Sequence, residues 1–427
     1  MIWIGYTTRY REGGDKMARA ARTMASEKRA QGATVRCEPV ESKRAFRDAM
    51  SCLEAPLDEL HLITHSGMYG PMFGTTDWPE QFSPHEWRTM ALPFAQDGQA
   101  WFHACRSARW FAPFFARAFH VPTYGYHWYT TFSLRPDRFV WEGPMSDRDA
   151  PLYVVGAPGR KSHGLVGSVM KYGLGRAETP RRFAPTPDDQ QLGSYDPVAE
   201  MYAEVFDDIR VRRDEWRWLV DRVPRGARVL DLGCGNGALV AQLSGQISSG
   251  VGVDVSAGQL AQARRRCSSL TNVSFQQIDG PQLPFERDRF DIAISLLSWR
   301  YLDWDPLLSE LSRVLTGDGR LLIVDMAASP AKTREVFRLV VDRARGLASR
   351  WRHDGARAAL GRMVSDARWQ EMLRYNPIRA EHEYRWYLES RFPGARVELL
   401  NIGWNARMLA FDTGPFSQAR LSEMQYP

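Results

Sequence analysis

Cysteine is scarce in this chain of 427 residues. Its five thiols, Cys37, Cys52, Cys105, Cys234 and Cys267, are odd in number and widely scattered. That argues against a disulfide framework and for a reducing compartment. Long apolar runs are missing too: none approaches the roughly 18 residues of a membrane span. The opening MIWIGYTTRYREGG lacks a charged start followed by an apolar core, so no secretory signal is read there. There is no internal repeat, no low-complexity block and no expected metal site. The cytoplasm of a bacterium-like cell is the default expectation.

What is present is an ordinary globular composition, 44% hydrophobic and 25% charged, in a chain too long for one core. Two or three domains follow from the length. The net charge of +6 is uneven. Residues 330–380 hold 12 Lys or Arg against 5 Asp or Glu, so that segment alone carries +7 and the remainder −1. A field concentrated in one segment says more than a global balance.

The first 125 residues alternate strand and helix signals. Strands are predicted at 2–8, 34–40, 59–64, 100–104 and 121–126. Helices are predicted at 15–29, 43–53, 85–94 with Pro93 near its end, and 108–119 interrupted by Pro113. This rhythm predicts a mostly parallel sheet covered on both faces. A strand at 152–155 and a helix near 168–172 follow. The Pro-, Asp- and Gln-rich stretch 176–195 is the best linker candidate. A second βαβ series has strands at 228–232, 250–255, 273–278, 291–295 and 320–325. It closes with an antiparallel pair, 397–403 and 406–412.

The clearest chemical signal is VLDLGCGNG, residues 229–237, which follows a strand and opens a helix. Gly233, Gly235 and Gly237 permit a tight turn and close approach of a ligand to backbone. The G-x-G-x-G spacing departs from the dinucleotide G-x-G-x-x-G. Asp231 would repel a pyrophosphate but suits a ligand with an ammonium group. Asp254 ends the next strand, 17 residues past Gly237, where a carboxylate can accept both ribose hydroxyls. Asp279 and Gly280 end the third strand, placed for an adenine amino group.

Residues 195–412 resemble the class I S-adenosylmethionine-dependent methyltransferases. The matching pieces are Asp231-Leu-Gly-Cys-Gly-Asn-Gly237, Val251-Gly-Val-Asp-Val-Ser256, Ile278-Asp279, Leu283-Pro-Phe285, Phe290-Asp291 and Leu311-Ser-Arg-Val-Leu315 before Gly317-Asp-Gly319. The resemblance implies S-adenosylmethionine held by Asp231, Gly233, Gly235, Asn236, Gly237, Asp254, Val255, Asp279 and Gly280, with Ser295 and Leu296 near its methionine part. Tyr195 and Tyr202 precede the first strand, as aromatic residues often do in that family; packing of an N-terminal helix explains them equally well. Methyl transfer from a sulfonium needs mainly alignment, and His353 and His382 stand only as candidates for a base. No Asp/Asn-Pro-Pro-Tyr/Phe follows the fourth strand, where Ser295-Leu-Leu-Ser298 stands, which argues against an amino-methylating DNA enzyme.

The basic segment 330–380 sits where related methyltransferases carry a substrate cover. A solvated helix face explains it as well as the sharper expectation of an anionic acceptor, small or presented on a carrier protein, met by Arg350 and Arg352. Nucleic acid is not expected, because no recognised binding motif accompanies the charge.

In the first half, His65 and Cys105 stand just past the ends of the third and fourth strands. If those strands are neighbours, the two meet at the carboxyl edge of the sheet and make a thiolate–imidazolium nucleophile. Gly67 and the Cys105 amide would then form an oxyanion hole. This order resembles the caspase-like cysteine peptidases over residues 1–175, with Ala104-Cys105-Arg106 matching the core of the caspase signature. Ser66 between His65 and Gly67, and Ser107 after Arg106, depart from it. A serine-hydrolase elbow at residues 64–68 lacks both flanking glycines. A buried apolar cysteine is the plain alternative.

The expected architecture is therefore two α/β three-layer domains. Residues 1–178 form a caspase-like sheet, 179–195 a linker, 196–414 a Rossmann-like class I methyltransferase with a helical insertion, and 415–427 a tail. The expected activity is methyl transfer to a small or carrier-bound acceptor. A cysteine peptidase or amidase with an accessory methyltransferase domain, and a scaffold built on a degenerate first domain, are the alternatives. Acceptor and oligomeric state are open.

Overall fold

The computed structural model describes residues 1–143, 147, 149–157, 169, 177–187, 195–205, 212–329, 331, 335, 339, 341, 354–376, 378–403 and 406–421, with the backbone alone at 354–358, 360 and 374. The chain divides into two compact units, Met1–Asp188 and Asp189–Pro427.

In the first unit the strands are β1 (Ile2–Tyr6), β2 (Val35–Pro39), β3 (Leu57–Ile63), two short ribbons β4–β5 (Ser66–Gly67 with Gly70–Pro71) and β6–β7 (Phe73–Gly74 with Pro79–Glu80), then β8 (Phe94–His103), β9 (Thr123–Gly125), β10 (Thr130–Ser133), β11 (Tyr153–Gly156) and β12 (Arg181–Phe183). The main sheet runs β12-β9-β8-β3-β1-β2. The five strands from β9 to β2 are parallel, and β12 adds antiparallel to β9. One face packs on the helix Gly14–Ala30 through Met17, Ala20, Ala21 and Ala25. The other packs on Lys43–Ser51 and Phe111–Phe119 through Phe46, Phe114 and Phe115.

Three expectations change. The helix expected over 85–94 covers only Pro84–Arg88, started by a capping box between Ser83 and Glu86. Leu92, standing before Pro93, is pushed towards extended backbone, and β8 begins at Phe94. Pro113 does not interrupt its helix. The helix starts at Phe111, so Pro113 lies in the first turn, where its missing N–H costs nothing. Residues 181–183, assigned to the linker by composition, form the edge strand of the first sheet. The helix expected near 168–172 lies outside the described residues, apart from Val169.

The second unit holds β13 (Arg228–Leu232), β14 (Ser249–Asp254), β15 (Val273–Gln277), β16 (Phe290–Leu296), β17 (Leu315–Ala328), β18 (Glu398–Ile402) and β19 (Ala406–Asp412). Their order is β15-β14-β13-β16-β17-β19-β18. β13 to β17 run parallel, and β19 is antiparallel to both its neighbours. The order turns back at β13, which lies between β14 and β16. In such sheets ligands enter the crevice at the carboxyl ends beside this switch point. Leu230, Leu232, Ala293 and Leu321 fill one face, and Val229, Ile292, Ile294 and Leu322 the other. Of the basic segment, helices Asp354–Ser365 and Ala367–Tyr375 are described. Met363 and Ala359 pack with Val205 of the helix Ala199–Val205.

Candidate functional site

β13 is buried between the two helical layers, and Asp231 is carried in with Leu230 and Leu232. Asp231 is 2% exposed, and its Oδ2 is buried without a hydrogen-bond partner. Burial, with the nearby Asp254 adding to it, pushes this carboxyl up to about 7. An ionisable group left unpaired in the interior costs stability and asks for a counter-charge.

The turn that follows is bent by three glycines with left-handed backbone, Gly233 (φ 66°), Gly235 (φ 52°) and Gly237 (φ 72°). The amides of Gly233 and Cys234 both donate to the Val253 carbonyl, which ties the turn to β14. A Cβ on Gly233 would lie 2.5 Å from Ser298 Cβ, and one on Gly237 2.9 Å from the Phe275 ring. A Cβ on Gly235 would meet nothing closer than the Tyr202 ring at 3.7 Å and Gln259 Oε1 at 3.8 Å. Packing therefore demands the outer two glycines, and the middle one borders open space. Asn236 turns its Oδ1 to the Ala238 amide and shapes the start of the next helix.

Asp254 accepts from the amides of Gly235 and Ser256, each at 2.9 Å, one on each carboxylate oxygen. Each oxygen keeps a lone pair for a further donor. Val255 beside it is 61% exposed, an apolar surface that a flat ring would cover. Asp279 and Gly280 lie at the carboxyl end of β15, and Asp279 lines an open cleft with Ile278, Leu283 and Arg313. Ser295 is fully buried, and its hydroxyl is shared with Ser298 Oγ at 2.7 Å, which in turn donates to the Leu232 carbonyl. It therefore braces the turn from beneath, while Leu296 is half-buried at the strand end.

Two further groups at the turn carried no signal in the sequence. Gln259 is 2% exposed, yet both its amide oxygen and its amide nitrogen lack partners. It sits on the helix Ala257–Arg266, where a glutamine at a helical position reads as surface. Past β16, Arg300 forms a buried ion pair with Asp325, whose other oxygen accepts from the Arg300 amide and from Tyr384 Oη at 3.0 Å. Only the fold brings these together.

The segment before β13 covers the turn. Asp196 accepts from Ser256 Oγ and the Gly258 amide, so Tyr195 is fastened beside the end of β14. The Tyr195 and Tyr301 hydroxyls are 2.8 Å apart, and the Tyr195 ring meets those of Tyr202 and Trp369 edge-on. Burial pushes the Tyr202 hydroxyl up to about 12. Arg362 pairs with Glu204, and Arg368 with Asp366. These two cations of the basic segment are engaged within the fold. Arg350, Arg352 and His353 lie outside the described residues, and the His382 ring lies against that of Trp386, tilted by 57°.

In the first unit, β3 and β8 are neighbours with Ile63 opposite His103. His65 and Cys105 therefore leave adjacent strands at one edge. Their side chains find other partners. His65 Nε2 donates to the Glu12 carbonyl at 3.0 Å, with the ring edge-on to Tyr10. Cys105 Sγ lies 3.4 Å from Thr130 Oγ1 and accepts from the Thr130 amide at 3.3 Å. No hydrogen bond joins the two. Gly67 is paired with Gly70 in the short ribbon, and Ser66 donates to the Cys105 carbonyl. Beneath this edge runs a buried row that the sequence did not announce. Glu59 bonds His61 Nε2 at 2.8 Å, and His61 Nδ1 lies 3.0 Å from His103 Nε2. The carboxylate fixes the tautomers: His61 donates to Glu59, so His103 must donate to His61. His103 Nδ1 is left as a buried, unpartnered lone pair.

Comparison with known proteins bears on the second unit. Residues 229–319 match the family described as "Methyltransferase domain". The chain is 33% identical to a demethylmenaquinone methyltransferase of Clavibacter sepedonicus, over 33% of this chain and 60% of that protein. It is 36% identical to methyltransferase GfsG of Streptomyces halstedii, over 31% of this chain and 47% of that one. The chain thus spans about half of the length of the curated relatives it matches. Among solved structures, an S-adenosylmethionine-dependent methyltransferase from Aquifex aeolicus aligns at 17% identity, covering 53% of this chain and all of that one, with a TM-score of 0.33. The cofactor that a methyltransferase domain calls for is S-adenosylmethionine, and the residues of the second unit fit it. An unpaired buried carboxylate awaits an ammonium, an aspartate with free lone pairs awaits a diol, and an exposed valine awaits a ring.

Proposed function

We propose that the second unit transfers a methyl group from S-adenosylmethionine to a small-molecule acceptor. The unpartnered carboxyl of Asp231, buried behind a glycine turn, carries this reading. An apolar residue would serve the core better there, and a cationic ligand removes the cost while leaving the carboxylate ionised. Bound beside it, the donor supplies an activated methyl on a sulfonium. The chain's own part is to hold and align. Asp231 takes the ammonium, Asp254 the ribose hydroxyls, Gly235 leaves room for the backbone to approach, and Val255 covers the adenine. Tyr202 and the segment 195–205 close over the turn and keep water from the reacting centre, where alignment supplies most of the rate.

The test is transfer of label from S-adenosylmethionine carrying a tritiated methyl to components of a small-molecule extract, with S-adenosylhomocysteine released in equal amount. Donor that binds but is never consumed, whatever extract is offered, would contradict a transferase.

A further inference from the structure

The helix Ala257–Arg266 is capped by Ser256, and Gln259 stands three residues on. That spacing calls for a capping box, in which each side chain bonds the other residue's backbone N–H. Only half of the box forms. The Gln259 backbone N–H donates to Ser256 Oγ at 3.1 Å. The Ser256 backbone N–H, which the glutamine side chain would take, donates instead to Asp254 Oδ1 at 2.9 Å. Gln259 is thereby released from capping. It is 2% exposed, and neither its Oε1 nor its Nε2 meets a hydrogen-bond partner among the described residues.

A buried primary amide with nothing at either end costs stability, and a methionine would fill the same space without that cost. What lies beside it accounts for the choice. A Cβ placed on Gly235 would sit 3.8 Å from Gln259 Oε1 and 3.7 Å from the Tyr202 ring, so glutamine and tyrosine flank a slot floored by the middle glycine. The backbone N–H of that same glycine donates to Asp254 Oδ2 at 2.9 Å. Asp254 and Gln259 therefore border one position, and they complement each other. A carboxylate only accepts. A hydroxyl that donates to it keeps lone pairs on its own oxygen, and in a site closed to water these need a donor. The Gln259 side-chain nitrogen supplies one. With no bond at either end to fix which way the amide faces, that nitrogen is free to turn into the slot.

We propose that Gln259 binds the methyl donor directly: its side-chain amide donates to the oxygen of a ribose hydroxyl whose own proton goes to Asp254. This rests on the methyltransferase reading and adds a specificity-determining residue to the same site. The carboxylate and the amide together read the sugar as one that carries a hydroxyl. A donor with that hydroxyl satisfies both groups at once. One without it leaves the amide as unpaired as it is in the empty protein.

The test sets two full-length chains, wild type and Gln259→Met, against S-adenosylhomocysteine and its 2′-deoxy and 3′-deoxy analogues, by titration calorimetry. Methionine matches glutamine in length and removes the unpaired amide, so the ligand-free variant should melt at least as high as the wild type. It should bind S-adenosylhomocysteine about tenfold more weakly, the worth of one hydrogen bond. That difference between the chains should vanish with one of the two deoxy analogues, the one that lacks the bonded hydroxyl. A difference that survives with both analogues would place the amide on another part of the donor, and no difference with S-adenosylhomocysteine would leave Gln259 a packing residue or the holder of a water. Either overturns the proposal. So does a ligand-free variant that melts well below the wild type, because the amide would then have partners in the empty protein. A wild-type chain that fails to bind S-adenosylhomocysteine would instead overturn the methyltransferase reading itself.

Discussion

At the scale of single residues, the glycine turn and its acids carry the clearest consequences. Asp231 has a raised value in the folded chain, about 7 against 3.8 unfolded. Below pH 3.8 both states hold the proton and the group is neutral to stability. As pH rises from there to 7 the unfolded state alone releases it, and the fold loses stability, on the order of a few kcal/mol by pH 8. Asp231→Asn should therefore raise the melting temperature of the ligand-free protein at pH 8 and change it little near pH 4, while weakening S-adenosylhomocysteine binding at least tenfold. Differential scanning fluorimetry and calorimetric titration give both readings, and a variant less stable at pH 8 would contradict the burial argument. The three glycines separate by what surrounds them. Gly233→Ala adds a clash with Ser298 to left-handed strain and should cost about 3 kcal/mol or more of stability. Gly235→Ala carries the strain alone, about 1–2 kcal/mol, and should keep the fold while losing the ligand. Equal loss of stability in both would mean that the space at Gly235 is not a ligand's. These acids and glycines were legible in the sequence because each follows a strand at a set spacing. Gln259, Asp325 and Tyr301 were not, since nothing local separates a buried unpaired amide from a surface one, or a paired tyrosine from a packed one.

At the scale of elements, the segment Tyr195–Val205 is pinned at its start by Asp196, through Ser256 and Gly258, and at its end by the pair Arg362–Glu204. Asp196→Ala removes the first anchor and leaves the core of the sheet untouched. Faster amide exchange confined to 195–205, with little change in melting, is the expected result by hydrogen–deuterium exchange mass spectrometry. Unchanged protection there would show that Asp196 does not hold the cap. Strand periodicity placed the sheets of both units, because alternating or continuous apolar runs leave few other options. Boundaries erred where one residue has two meanings. Pro113 read as an interruption and is a first-turn residue. The polar stretch around 181–183 read as linker and is an edge strand, whose sparse hydrophobicity comes from having one neighbour only.

At the scale of the whole chain, each unit closes its own core, so calorimetry should show two transitions. In the first unit His61 and His103 are held below their usual range by burial, and Glu59 is held at about 2, by its bond to His61 above all. Groups with lowered folded values give stability that is lost as pH falls, from about 6.5 for the histidines and further below 4.5 for Glu59. The first-unit transition should therefore drop between pH 8 and pH 5. S-adenosylhomocysteine should raise the other transition alone; a shift of both together would mean the units unfold as one. The neighbouring strands that bring Cys105 and His65 to one edge were legible as pattern, but the side-chain partners, Thr130 at the start of β10 and the Glu12 carbonyl in a turn, come from segments that no periodicity pointed to.

The most direct measurement is titration calorimetry of S-adenosylhomocysteine into the full chain and into Asp254→Ala, with folding of the variant checked by circular dichroism. The glycine-turn site predicts saturable one-to-one binding to the wild type and none to the variant. A wild-type chain that takes up no ligand, or a folded variant that binds as tightly, would contradict it.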